Sequence, residues 1–326
     1  MIHAVVAILF LALPIAAWVL KRSLAWVAAA LIAGLSISGA LVSVTNYAGY
    51  RWTWTSLELL LVATLVVVVV AAWASRPRGG ERESIRHQWW AIGLPMVVVG
   101  ACIVISRLLA APSSGLFTGV GFFMRRIYAE DNAKWLDFTS RLVQGEQIVQ
   151  SDPMGGPLQL FLVPVADLLS TVSLIAFGGI NEVFVMSNTV IYGQFGLAIL
   201  AAAALAPVAE RAFRSSTGGS HLPLPLIWTG AGIITIASLA ASGLGHLTLQ
   251  FTFLVLGLWV AAFLVRAPST VTSLASLAMV PLFLVWFPIA PVSAVVMIAA
   301  VAFAVAMVVR RQRNTPWILL GLWGIT

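Results

Sequence analysis

The chain has 326 residues, of which 61% are apolar and only 9% are charged, and its mean hydropathy is +1.02. Soluble domains carry about 25% charged residues, so this composition excludes an ordinary soluble protein and indicates a polytopic membrane protein. The formal net charge of +7 comes from arginines in short loops between apolar runs, which indicates membrane topology and no nucleic-acid partner.

Apolar runs long enough to cross a bilayer, about 20 residues each, recur along the whole chain. The predicted spans are 3–20, 23–42, 56–74, 90–111, 183–207, 225–243, 249–265, 272–286 and 288–309. The first run has no basic segment before it, so we interpret it as a span and not as a cleaved signal peptide. A last run begins at Trp317 and stops at Thr326, which suggests the N-terminal part of a longer protein.

These runs predict an all-α fold: a single polytopic transmembrane bundle over 1–326 with nine to ten spans. Basic residues mark cytoplasmic loops. Lys21 and Arg22, and the loop "SRPRGGERESIRH" (75–87), are two spans apart and are both predicted to be cytoplasmic. The N-terminus and the segment 112–182 are then extracytoplasmic. The excess of arginine over lysine suggests a bacterium with GC-rich DNA, and so a bacterial plasma membrane.

The run 158–177 is ambiguous, because it either spans the membrane or lies in its interface. Asp167 would cost about 2.5–3.5 kcal/mol at the centre of a bilayer. Asp167, Ser170 and Thr171 form a polar stripe at helical spacing, as an in-plane helix requires. The interfacial arrangement also puts every later basic cluster in the cytoplasm, so we favour it and expect Asp167 to face water.

The stretch "IYAEDNAKWLDFTSRLVQG" (127–145) concentrates charge of both signs in the extracytoplasmic segment. Trp135, Phe138 and Leu142 recur at helical spacing and predict one apolar face. Asp137 and Arg141 are four apart with the acid first, which favours an ion pair on a helix surface. The pattern predicts a short amphipathic surface helix.

Two interpretations of the acids that begin this stretch remain open. Glu130 and Asp131 suit the start of a helix because acids complement the macrodipole. They could also bind a divalent cation or accept a proton from an attacking hydroxyl group. Arg125 and Arg126 suit a phosphate group, although simple interfacial anchoring explains them slightly better.

The same region resembles the GT-C superfamily of polytopic glycosyltransferases, which use sugars linked to lipid phosphates. The matching pieces are "EDNAKWLDFTSRLVQG", "SDPMGGPLQLFLVPVADLL", "FGGINEVFVMSN" and "AERAFRSS", in this order over Tyr128 to Ser216. The resemblance implies transfer of a sugar from a polyprenyl-phosphate donor to a cell-envelope glycan or glycolipid acceptor at the extracytoplasmic face. An actinobacterial cell-envelope enzyme is a plausible relative.

The resemblance also assigns roles to residues. Asp131 or Glu130 would be the catalytic base or the ligand of a divalent cation, Mg²⁺ or Mn²⁺. Substrate-binding roles would fall to Lys134, Trp135, Arg125 and Arg126. Asp152, before a proline, and His246, in the outer loop "GLGHLT", are further candidates for contact with the substrate, although a turn residue and a loop-end histidine are the simpler explanations.

Two functions of other classes are alternatives to a glycosyltransferase. A transporter or flippase for an envelope precursor would need charges inside the spans. Glu58 and Arg107 lie near span ends, and no inverted repeat is visible, which counts against transport. A non-enzymatic scaffold would predict that replacing Glu130 and Asp131 changes only complex formation.

Overall fold

The computed structural model describes residues 2–75, 133–148, 155–216, 247–264 and 269–285, together with positions 93 and 97. These residues form eight helices and no strand beyond one isolated bridge. The helices are α1 (Ile2–Lys21), α2 (Leu24–Tyr47), α3 (Trp54–Ala74), α4 (Ala133–Gln144), α5 (Gly155–Phe177), α6 (Glu182–Ser216), α7 (Leu247–Leu264) and α8 (Ser269–Val285). The predicted all-α fold is confirmed for this part of the chain.

Five of the described helices are long and apolar enough to cross a membrane: α1, α2, α3, α5 and the part of α6 up to residue 205. Helices α7 and α8 begin and end within about three residues of their predicted spans, as close as boundaries are usually predicted. The predicted spans 90–111, 225–243 and 288–309 fall outside the described residues, apart from positions 93 and 97. The count of nine to ten spans therefore stays a prediction.

Local sequence explains where these helices begin and end. The Ser23 hydroxyl accepts a hydrogen bond from a backbone N–H in the first turn of α2, and Thr53 and Ser56 form a capping box at the start of α3. Such caps satisfy N–H groups that have no partner inside the helix. After α4 and α5 the chain turns at Gly145 and Gly178, both with φ of +70°, a conformation that glycine adopts without strain.

The first three helices define two ends of the bundle. At one end, the Lys21 ammonium donates to the carbonyl of Ser75, so we call this the basic end. At the opposite end, which we call the histidine end, the ring of His3 packs on the ring of Trp54. Because Ser75 begins the arginine-rich loop, both basic segments start at the same end, as predicted. Their cytoplasmic location stays a prediction.

Helices α2 and α5 pack with their backbones in direct contact. The N–H of Gly156 donates to the Ser43 hydroxyl over 3.3 Å, and a Cβ atom on Gly39 would overlap the backbone of Pro157. Small residues allow this close approach, which is how helices in membranes gain van der Waals contact.

Gly39→Ala should therefore destabilise the bundle. Overpacking a core costs about 1–3 kcal/mol, and we expect the upper end of that range because two backbones must separate. The thermal melting temperature of the detergent-purified protein measures this effect. Gly179→Ala is the matched control, since a Cβ there meets nothing within 4 Å. Equal melting of the two variants would contradict the observed packing of α2 on α5.

Helix α5 corrects the expectation for Asp167. This helix packs against α1, α2, α3 and α6, and Asp167 and Ser170 are both 0% exposed. The predicted polar stripe exists, but the prediction that Asp167 faces water was wrong. Its carboxyl group faces α1 and α3, whose polar side chains replace water as partners.

Candidate functional site

Helix α4 has the predicted amphipathic character. Its buried face contains the three residues of the predicted apolar stripe, Trp135, Phe138 and Leu142. On its other side the Arg141 guanidinium donates to Asp137 over 2.9 Å, which confirms the predicted ion pair. Hydrogen bonding and attraction to Asp137 raise the pKa of Arg141.

Two sets of hydrogen bonds position α4 at the histidine end. The Glu182 carboxylate at the start of α6 accepts from the Ser140 hydroxyl over 2.5 Å and from the Gln144 amide over 2.7 Å. Just after α4, the N–H of Ile148 donates to the carbonyl of Trp52 over 2.8 Å. Because Trp52 precedes α3, α4 and the residues after it lie at the same end of the bundle as His3.

Most of the site residues predicted from sequence lie outside the described residues. These are Arg125, Arg126, Glu130, Asp131, Asp152 and His246. Lys134 and Trp135 are described, and the Lys134 ammonium lies 5.6 Å from the centroid of the Trp135 ring. Trp135 is only 2% exposed, so little of its ring is accessible to a sugar or lipid. Its role as a substrate contact stays a prediction.

A polar cluster that was not predicted from the sequence lies at the histidine end. We call it the triad cluster: His3 from α1, Glu58 from α3 and Asp167 from α5. His3 Nδ1 lies 2.7 Å from Glu58 Oε1 and 3.0 Å from Asp167 Oδ1. The Trp54 indole N–H donates to the same Asp167 oxygen over 2.7 Å. Three helices thus bring their ionisable side chains to one point.

The triad cluster is buried but reachable from one side. Glu58 and Asp167 are 1% and 0% exposed, whereas the His3 side chain is 28% exposed. The second oxygen of each carboxylate, Glu58 Oε2 and Asp167 Oδ2, has no hydrogen-bond partner among the described residues. Buried polar atoms without partners are uncommon in native structures, so these two oxygens are positions for a shared proton or for a ligand.

Helix geometry explains why these residues meet. His3 is in the first turn of α1 and Glu58 is one turn into α3, and both helices begin at the histidine end. Asp167 lies midway along α5, which crosses both of them. The His3 and Trp54 rings stack with centroids 4.0 Å apart, which fixes the imidazole between the two carboxylates.

This arrangement can bind a cation or hold a proton between its oxygens. Two carboxylates this close repel each other unless positive charge lies between them. The sequence does carry a signal for the site, because each member is an ionisable residue at the edge of or within an apolar run, where such residues are rare. Glu58 does lie near the start of its span, as predicted, but its burial and its partner His3 were missed.

Comparison of the chain with protein-family models, with curated proteins and with solved structures finds no match.

Proposed function

We propose that this protein is a membrane glycosyltransferase that moves a sugar from a polyprenyl-phosphate donor to a cell-envelope glycan or glycolipid at the extracytoplasmic face. The observation that carries the proposal is the position of α4. This amphipathic helix directly follows Glu130 and Asp131 in sequence and is fixed to α6 and to the α2–α3 connection at the histidine end.

The orientation of the bundle supports this proposal. Lys21 and Ser75 lie at the basic end, and basic residues favour the cytoplasm. The histidine end, with α4, is then extracytoplasmic. On that face of the membrane the sugar donors are lipid-linked sugars and not nucleotide sugars. A bilayer environment follows from the five long apolar helices.

Each residue of the proposed site has a chemical task. Asp131 acts as the general base that accepts the proton of the acceptor hydroxyl, or binds a cation that does so, and Glu130 is its partner. Arg125, Arg126 and Lys134 bind the donor phosphate, because cationic side chains at a membrane face attract phosphate oxygens. Sugar transfer then requires that the phosphate leave the anomeric carbon as the hydroxyl oxygen attacks.

A transfer assay tests the proposal. The full chain in lipid nanodiscs is incubated with pooled radiolabelled polyprenyl-phosphate sugars and envelope-extract acceptors. We expect label to move into acceptor for the protein and not for empty nanodiscs. If a folded, inserted protein transfers no label from any donor, the glycosyltransferase proposal fails and transport or scaffolding takes its place.

One observation favours a second candidate, a transporter or flippase for an envelope precursor. The triad cluster places buried ionisable groups between helices long enough to span a membrane, and such groups mark ion and proton pathways in membrane transporters. In proteoliposomes, this alternative requires movement of a fluorescent polyprenyl-phosphate lipid between leaflets. It also requires that Glu58→Gln stop this movement while Asp137→Asn does not.

A further inference from the structure

The triad cluster has too little positive charge for its two carboxylates. Glu58 and Asp167 are almost fully buried, and His3 is their ion-pair partner. No lysine or arginine within the described ranges makes an ion pair with either carboxylate. A buried charge without compensation is strongly destabilising, so the second carboxyl group must be neutralised, either by a proton or by a bound cation.

We propose that His3, Glu58 and Asp167 form a binding site for a divalent transition-metal ion, Zn²⁺ or Mn²⁺. With a neutral imidazole, an ion of charge +2 balances the two carboxylates. The proposal concerns residues other than Glu130 and Asp131, and it does not depend on the proposed sugar transfer.

The distances in the cluster suit such an ion. The potential ligand atoms of the three residues all lie within 4.8 Å of one another. A tetrahedral ion with bonds of about 2.1 Å separates its ligands by about 3.4 Å. His3 Nδ1 lies 2.7 and 3.0 Å from the two carboxylate oxygens. To bind the ion, the nitrogen and each oxygen therefore have to move apart by less than about 1 Å.

The ligand types select the class of ion. An imidazole nitrogen suits Zn²⁺, and carboxylates suit both Zn²⁺ and Mn²⁺, whereas Mg²⁺ and Ca²⁺ prefer shells made of oxygen alone. The free oxygens Glu58 Oε2 and Asp167 Oδ2 supply further ligand positions. The Trp54 N–H, which donates to Asp167 Oδ1, orients that carboxylate as outer-shell hydrogen bonds do in metal sites.

Access to the site is on the side of His3. Its side chain is 28% exposed, in contrast to 2% for Glu58 and 0% for Asp167. The imidazole is therefore the most accessible of the three side chains. The position at the histidine end, away from Lys21 at the basic end, avoids repulsion from that ammonium group.

Metal binding to the purified full chain tests the proposal directly. The protein, with a histidine-free affinity tag, is stripped with EDTA and titrated with MnCl₂ or ZnCl₂. We expect at least one saturable ion by calorimetry and, for Mn²⁺, by loss of the free-ion electron paramagnetic resonance signal. Glu58→Gln and Asp167→Asn should each weaken binding at least about tenfold. Asp137→Asn, which removes an exposed acid paired with Arg141, should bind like the wild type.

If Glu58→Gln and Asp167→Asn do not fold, thermal melting of the wild type with and without the ion still tests the proposal. The chosen ion should raise the melting temperature of the stripped wild type, because a ligand that binds only the folded state stabilises it. His3→Gln, at the accessible edge of the cluster, should remove that rise. A wild type that neither binds nor is stabilised by either ion, or carboxylate variants that fold and bind equally well, would overturn the proposal.

Discussion

Asp131→Asn should reduce sugar transfer by about 10²–10⁴-fold, the contribution that a positioned general base makes to a reaction rate. The amide has nearly the same shape as the carboxylate but cannot accept the proton of the acceptor hydroxyl. The measurement is the initial rate of label transfer in nanodiscs, with the donor that is active with the wild type. Glu130→Gln should have a smaller effect, since this residue is proposed as the partner of the base.

Asp137→Asn is the matched control for this prediction. Asp137 is an acid of the same segment, but it is exposed and paired with Arg141, and exposed pairs contribute little to stability. Transfer by this variant should equal that of the wild type. If Asp131→Asn keeps full activity while the wild type is active, the enzyme assignment stands and the proposed base is wrong. If both variants lose activity equally, the effect is a general disturbance of the segment.

Trp135→Ala should destabilise the protein by about 3–5 kcal/mol, the usual cost of removing a large aromatic side chain from a core. Trp135 is 2% exposed, and its ring meets the Phe138 ring edge-on with centroids 6.3 Å apart. Removing the indole leaves a cavity under α4, so this helix loses part of its packing against the core. Thermal melting in detergent, together with limited proteolysis of the α4 region, measures the loss.

Two comparison variants identify the cause of the Trp135 effect. Trp135→Phe should cost much less than the alanine substitution, because the buried indole N–H has no hydrogen-bond partner among the described residues. Tyr47→Ala removes an aromatic side chain that is 92% exposed and should change the melting temperature little. A Trp135→Ala protein that melts like the Tyr47→Ala protein would show that α4 is not packed as described.

The amphipathic helix α4 was predictable because its signal is local. Residues spaced three and four apart meet on any helix, so the apolar stripe through Trp135, Phe138 and Leu142 and the Asp137–Arg141 pair needed no knowledge of other elements. The same local signal did not show what Trp135 packs against. An aromatic stripe looks the same whether it covers a core or contacts a sugar, and spacing alone does not predict that Trp135 is only 2% exposed.

Asp167 shows the limit of local patterns more sharply. Its stripe with Ser170 was correctly identified, but a polar stripe on an apolar helix can face water or a buried polar partner. The partners are His3 and Trp54, 164 and 113 positions away in the chain. Such long-range pairings depend on which helices pack together, and helix spacing alone does not determine that.

The sequence by itself determined the all-α membrane class, the position of most described helices and the amphipathic nature of α4. Those properties depend on apolar content and on helical periodicity, which each segment carries on its own. Only the tertiary structure decided that α2 and α5 meet backbone to backbone at Gly39 and that three separate helices place His3, Glu58 and Asp167 within reach of one ion. Packing decides these features because they exist only where different helices come together.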